Sequence, residues 1–189
     1  MLRLPHNTAL IIIDVQQGMD HPKWGLRNNP EAEQRIAALL AAWRVTGRPV
    51  FHVQHLSTFE DSPLRPSLPG CALKECARPL PGEPLFQKNV NSAFIGTRLE
   101  SALRERGIRT IAIAGLTTPH CISTSVRMAG NLSFEVYLPA DACAAFDLTG
   151  PDGTHYPAEV IHRVSLATLH GEFATVVDSQ ALLDALQPY

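Results

Sequence analysis

The chain has 189 residues, of which 45% are hydrophobic and 18% charged. That balance excludes disorder, and the length can bury a core without disulfides or metal. The formal net charge is −2 with no run of like charge, which excludes a nucleic-acid footprint. Apolar stretches such as Ala9–Ile13 and Ile111–Ala114 are far below the ~18 residues a membrane helix needs. Pro5, His6 and Asn7 interrupt any secretory core, and the four cysteines then fit free thiols in a reducing compartment. A single cytoplasmic domain over residues 1–189 is expected, with no nucleic-acid or membrane partner.

Thr8–Ile13 is a continuous β-branched apolar run, short enough for a buried strand, and it stops at Asp14. Asn29 then reads as a helix cap with Pro30 at the first position and Gly47 beyond the end. Ile36, Leu39, Leu40 and Trp43 recur at helical spacing and form the inner face of that helix. Pro49–Gln54 is a second strand. Residues 55–87 carry six of the fifteen prolines and read as a long irregular wall or lid. Thr97 and Glu100 read as a capping box for a helix ending at Gly107. Arg109–Gly115 is a third buried strand, and Thr118–Pro119 opens another helix. Phe134–Leu138 (strand), Pro157–His170 (helix), Ala174–Val177 (strand) and Ser179–Leu186 (helix) complete the series.

Strands alternating with helices imply right-handed crossovers and a parallel sheet covered on both faces. The expected fold is α/β: a three-layer α/β/α sandwich around a mainly parallel, Rossmann-like six-stranded sheet. Sites in such sheets form beyond the carboxyl ends of the strands. Asp14 ends the first strand, Lys88 follows the proline-rich wall, and Cys121 follows the third strand. With Thr118 as cap, Cys121 falls at the third position of its helix, where the dipole and free N–H groups favour a thiolate. Alone, Cys121 reads first as a buried small hydrophobe, Asp14 as a turn carboxylate and Lys88 as a surface lysine. Together they supply a nucleophile, a base and a cation.

The strings ALIIIDVQQG (9–18), FQKNVNSAFIGTRLE (86–100) and AIAGLTTPHCISTSVRMA (112–129) resemble the isochorismatase-like cysteine hydrolases. That superfamily includes nicotinamidases, N-carbamoylsarcosine amidohydrolases and bacterial isochorismatases. The resemblance implies a catalytic triad of Asp14, Lys88 and Cys121. It also implies a non-proline cis peptide between Leu116 and Thr117, and an oxyanion hole made by the Thr117 and Cys121 N–H groups. In the implied mechanism Asp14 takes the thiol proton and the thiolate attacks a carbonyl. Asp14 then protonates the departing amine, and water cleaves the thioester.

Gln16, Met19, Trp24, Phe94, Leu116 and His120 adjoin these positions and are the candidate substrate contacts. Nicotinamidases of the superfamily carry a metal on an Asp-x-His pair after the second strand. Here that place reads His52-Val53-Gln54-His55, so no metal and no cofactor are expected, and both histidines are read as bonding locally. Cys71 and Cys76 form an isolated C-x₄-C spacing, and Cys143 reads as core. His162 and His170 share a helix face, which fits packing or a subunit interface. The leading expectation is hydrolysis of a small amide or carbamoyl C–N bond by a homodimer or homotetramer. An isochorismatase-type vinyl ether hydrolase and a non-enzymatic binding member stay open as alternatives. No resolving C-x-x-C accompanies Cys121, against a thiol redox protein.

Overall fold

The computed structural model describes residues 2–186. Its elements are β1 (Ala9–Ile13), α1 (Ala32–Val45), β2 (Val50–His55), β3 (Leu85–Lys88), α2 (Leu99–Glu105) and β4 (Thr110–Leu116). They continue with α3 (Ser123–Asn131), β5 (Glu135–Pro139), β6 (Cys143–Ala144), β7 (Leu148–Thr149) and β8 (His155–Tyr156). The last are α4 (Ala158–Leu169), β9 (Thr175–Val177) and α5 (Ser179–Ala185). Among the described residues no helix is long and apolar enough to cross a membrane.

Successive side chains of a strand face opposite sides of a sheet, and β1 is buried on both. Ile11 and Ile13, with Ile111 and Ile113 of β4, pack against Leu99 and Leu103 of α2 and Val126 of α3. Leu10 and Ile12, with Ala112 and Ala114, pack against Ile36, Leu39, Leu40 and Trp43 of α1 and Leu182 of α5. These two faces make the three layers. The sheet order is β3-β2-β1-β4-β5-β9, with β6 also pairing against β4, and every pairing within it is parallel. The expected α/β sandwich is therefore present, with a seventh short strand.

Several local expectations are corrected. Asn29 does not cap α1. Its side chain instead donates to the carbonyls of Ala140 and Cys143, 3.1 and 2.7 Å away, and Glu31 stands at the cap without a side-chain bond. A cap supplies only ~1 kcal/mol, whereas each fully buried side chain of α1 supplies ~1.5–3 kcal/mol, so packing sustains the helix. The Thr97–Glu100 capping box is not formed. Arg98 is the cap residue, and Glu100 pairs with Arg104 at 3.4 Å. The stretch 55–87 is not wholly irregular, because its end forms β3, an edge strand directly after Pro84. Proline is tolerated just there, at the start of an edge. The pair β7 and β8 forms a small antiparallel hairpin outside the main sheet.

Candidate active site

The strand order reverses between β1 and β4, since β2 and β3 lie to one side and β5 and β9 to the other. A cleft opens at such a switch point. Ile13 is in register with Gly115 and with Val53, and His55 is in register with Lys88. The sheet therefore delivers the ends of β1, β2, β3 and β4 to one place. Gly115 is required there: its φ is +135°, and a Cβ would meet the Ile13 carbonyl oxygen at 2.0 Å. Asp14 leaves the sheet with φ 56°, a left-handed turn that Asp adopts more readily than most residues. The peptide bond between Leu116 and Thr117 is cis.

Cys121 lies in a five-residue π-helical turn, Thr118–Ile122, that precedes α3. The expected regular helix start at Thr118 is thus corrected: Thr117 is the cap, and its carbonyl accepts from the N–H groups of both His120 and Ile122. Single π turns of this kind occur frequently at functional sites.

The Lys88 ammonium donates to Asp14 Oδ2 at 2.6 Å, to His55 Nδ1 at 3.0 Å and to Cys121 Sγ at 3.2 Å. The side chains of Lys88 and Asp14 are both 0% exposed. Burial pushes the Asp14 carboxyl above its ordinary value, and Lys88 opposes that shift only in part. Burial, and after it the Asp14 charge, pushes the Cys121 thiol up as well. Burial and the Asp14 charge thus work against the thiolate expected from helix position alone, while the Lys88 hydrogen bond favours it. Asp14 Oδ1 is buried without a hydrogen-bond partner, which leaves an oxygen available to receive a proton.

Asp14, His55 and Cys121 each offer a ligand atom, and these atoms lie within 4.8 Å of one another. They converge because all three accept from one ammonium, so a cation already stands at their centre. Among the described residues no other cluster of this kind occurs, and Cys71 and Cys76 do not form one.

A cavity of about 430 Å³ opens over Asp14, His55, Thr117 and Cys121. Of the candidate contacts, Met19, Trp24 and His120 line it. Gln16, Phe94 and Leu116 do not. Gln16 is fully buried, donating to the carbonyls of His55 and Cys71 and accepting from the His55 N–H. Phe94 stacks on Phe134 in the core with ring centroids 6.1 Å apart, and Leu116 packs behind the wall with Met19 and Phe146. His55, Phe59, Asp61, Asn91, Phe146 and Asp147 also line the cavity. Phe59 and Asp61 fall in the proline-rich wall, whose path no motif specified. Phe146 stacks on Trp24 at 6.1 Å and belongs to an apolar run that reads as core. His55 had a visible signal, its place at the end of the second strand. His162 is a packing residue, bonded through Nδ1 to Thr118 Oγ1 at 2.8 Å.

The isochorismatase-domain family model matches residues 8–181. The isochorismatase family protein YrdC of Bacillus subtilis is 48% identical over 176 residues, covering 93% of this chain and 94% of that protein. The chain belongs to the isochorismatase family. A solved isochorismatase-family structure from Chromobacterium violaceum superposes with a TM-score of 0.94 at 45% identity, covering 98% of this chain and 96% of the other. The ureidoacrylate amidohydrolase RutB of Methylobacterium radiotolerans is 26% identical, covering 96% of this chain and 80% of that protein. This isochorismatase-family chain is therefore placed among hydrolases that include amidohydrolases.

Proposed function

We propose that the protein is a cysteine hydrolase that cleaves the C–N bond of a small, uncharged amide through a thioester on Cys121. The observation that carries this reading is the single ammonium of Lys88 bonded at once to Asp14 and to Cys121 Sγ. Asp14 takes the thiol proton, and its raised proton affinity suits it to that task. The new thiolate keeps the Lys88 hydrogen bond and attacks the amide carbonyl, forming a C–S bond. The N–H groups of Thr117 and Cys121 receive the oxyanion. Asp14 returns the proton to the nitrogen as the C–N bond breaks, and the amine leaves. Water then gives its proton to Asp14 and its oxygen to the acyl carbon, and the released thiolate recovers the proton.

The cavity supports an uncharged substrate. Its walls include Met19, Trp24, Phe59, Leu64 and Phe146, which offer apolar surface to an acyl group. A carboxylate-bearing amide needs a cation to hold it, and both lysines here are engaged. Lys88 is held by its three acceptors, and Lys23 at the mouth is paired with Asp61 at 2.8 Å.

Ammonia release from benzamide, hexanamide and small ureido acids tests the reading. The expected result is turnover of the neutral amides with carboxylic acid as co-product, lost in Cys121→Ala. Pyruvate release from a vinyl ether substrate, undiminished in Cys121→Ala, would overturn it.

A further inference from the structure

We propose that His55 is a positioning residue for this site: by accepting the third hydrogen bond of the Lys88 ammonium, it fixes that ammonium between Asp14 and Cys121. A lysine side chain ends in three donors and no acceptor. Two of them meet Asp14 Oδ2 and Cys121 Sγ, and the third meets His55 Nδ1 at 3.0 Å. With the third donor satisfied, the long side chain has one orientation in which every donor is bonded. Without it, the ammonium is free to turn away from sulfur.

The ring is itself held for that purpose. Lysine offers no lone pair, so Nδ1 must be the unprotonated nitrogen, and the ring proton sits on Nε2. The backbone of His55 is clamped on both sides by one side chain. Gln16 accepts from its N–H at 2.9 Å and donates to its carbonyl at 3.0 Å. Gln16 is 0% exposed and also donates to the Cys71 carbonyl at 2.8 Å. A line of contacts therefore runs from the proline-rich wall through Gln16 and His55 to Lys88 and the thiol.

The charged and titratable groups facing the ring are Lys88 from β3, Asp14 from the end of β1 and Cys121 from the π turn. Burial, and then the charge of Lys88, lowers the readiness of His55 to take a second proton. The ring thus stays a neutral acceptor at neutral pH. Protonation would remove the lone pair and set two cations against each other.

The inference rests on Cys121 as the nucleophile, but its test reads the thiol without any substrate. The rate of Cys121 alkylation by iodoacetamide is followed by peptide mapping from pH 5 to 10 in the wild type, His55→Leu and His55→Asn. Folding of each variant is checked by its thermal transition, and His55→Gln replaces a variant that does not fold. In His55→Leu the alkylation profile should move to higher pH, because the thiolate loses a fixed ammonium. On any amide the wild type turns over, kcat should fall about a hundredfold with KM little changed. His55→Asn places an oxygen acceptor near Nδ1 and should recover most of both. A His55→Leu profile identical to the wild type overturns the inference. So does an equal loss in both variants with the pH dependence unmoved, which marks packing alone. If the wild type turns over no amide yet the profile still follows His55, the positioning role is supported and the proposed reaction is not.

Discussion

Lys88 and Asp14 form an ion pair of 2.6 Å in which both side chains are completely shielded from solvent. The two residues are 74 positions apart, and only the parallel register of β1, β2 and β3 brings them together. Removing one member leaves a buried charge without its counterion, at a cost of ~3–5 kcal/mol, while removing both charges costs far less. Asp14→Asn and Lys88→Met should each lose stability on that scale in urea denaturation. The double variant should be more stable than either single one. Simple additivity of the two losses would show that the pair is not coupled.

At the cavity mouth, Lys23 donates to both the carbonyl and the Oδ2 of Asp61. The Asp61 side chain is 83% exposed, so the pair adds little to stability and acts chiefly on the charge a substrate meets. Asp61→Asn keeps the backbone carbonyl as acceptor but removes the counter-charge of the Lys23 ammonium. The variant should gain roughly tenfold in kcat/KM for a carboxylate-bearing amide relative to its neutral analogue, with an unchanged melting temperature. Unaltered relative rates would remove Lys23 and Asp61 from substrate selection.

Glu83 ties the proline-rich wall to the body of the molecule through Arg44 at 2.8 Å and His52 at 2.8 Å. Its burial pushes its pKa up, but hydrogen bonds from Arg44, the Leu80 N–H and His52 outweigh this and hold it at about 2, against an ordinary 4.5. As pH falls, the unfolded chain takes the proton first. The stabilisation is therefore complete above about pH 4.5 and lost between there and pH 2. Glu83→Gln should melt lower than the wild type at pH 6, and the gap should narrow as pH falls through that window. A gap that is the same at pH 6 and pH 3 would exclude this origin.

The layered fold was readable from local apolar patterns, whereas Asp14, Lys88 and Cys121 each carry a weak signal alone and were singled out by the family-like strings around them. Thr8–Ile13 and Arg109–Gly115 read as strands buried on both faces, and Asp14 and Cys121 follow their ends in sequence. What escaped depended on partners distant in sequence. Asn29 has the composition of a cap, yet the buried carbonyls of Ala140 and Cys143 claim its side chain. Leu85–Lys88 has no strand pattern of its own and becomes one by pairing with β2. Gln16 adjoins Asp14 in sequence, but its amide is consumed in bracing His55. The aromatic wall of Trp24 and Phe146 joins residues far apart in the chain, which no motif records.

The central claim is that Cys121 makes and breaks a covalent bond to the acyl group. The most direct measurement compares ammonia release from a neutral amide by the wild type and by Cys121→Ala, with folding of both verified. The Cys121 side chain lines the cavity and is 3.2 Å from the Lys88 ammonium. Loss of the thiol should lower kcat by roughly 10⁴-fold or more. A Cys121→Ala enzyme that retains turnover within about tenfold of the wild type would contradict the account.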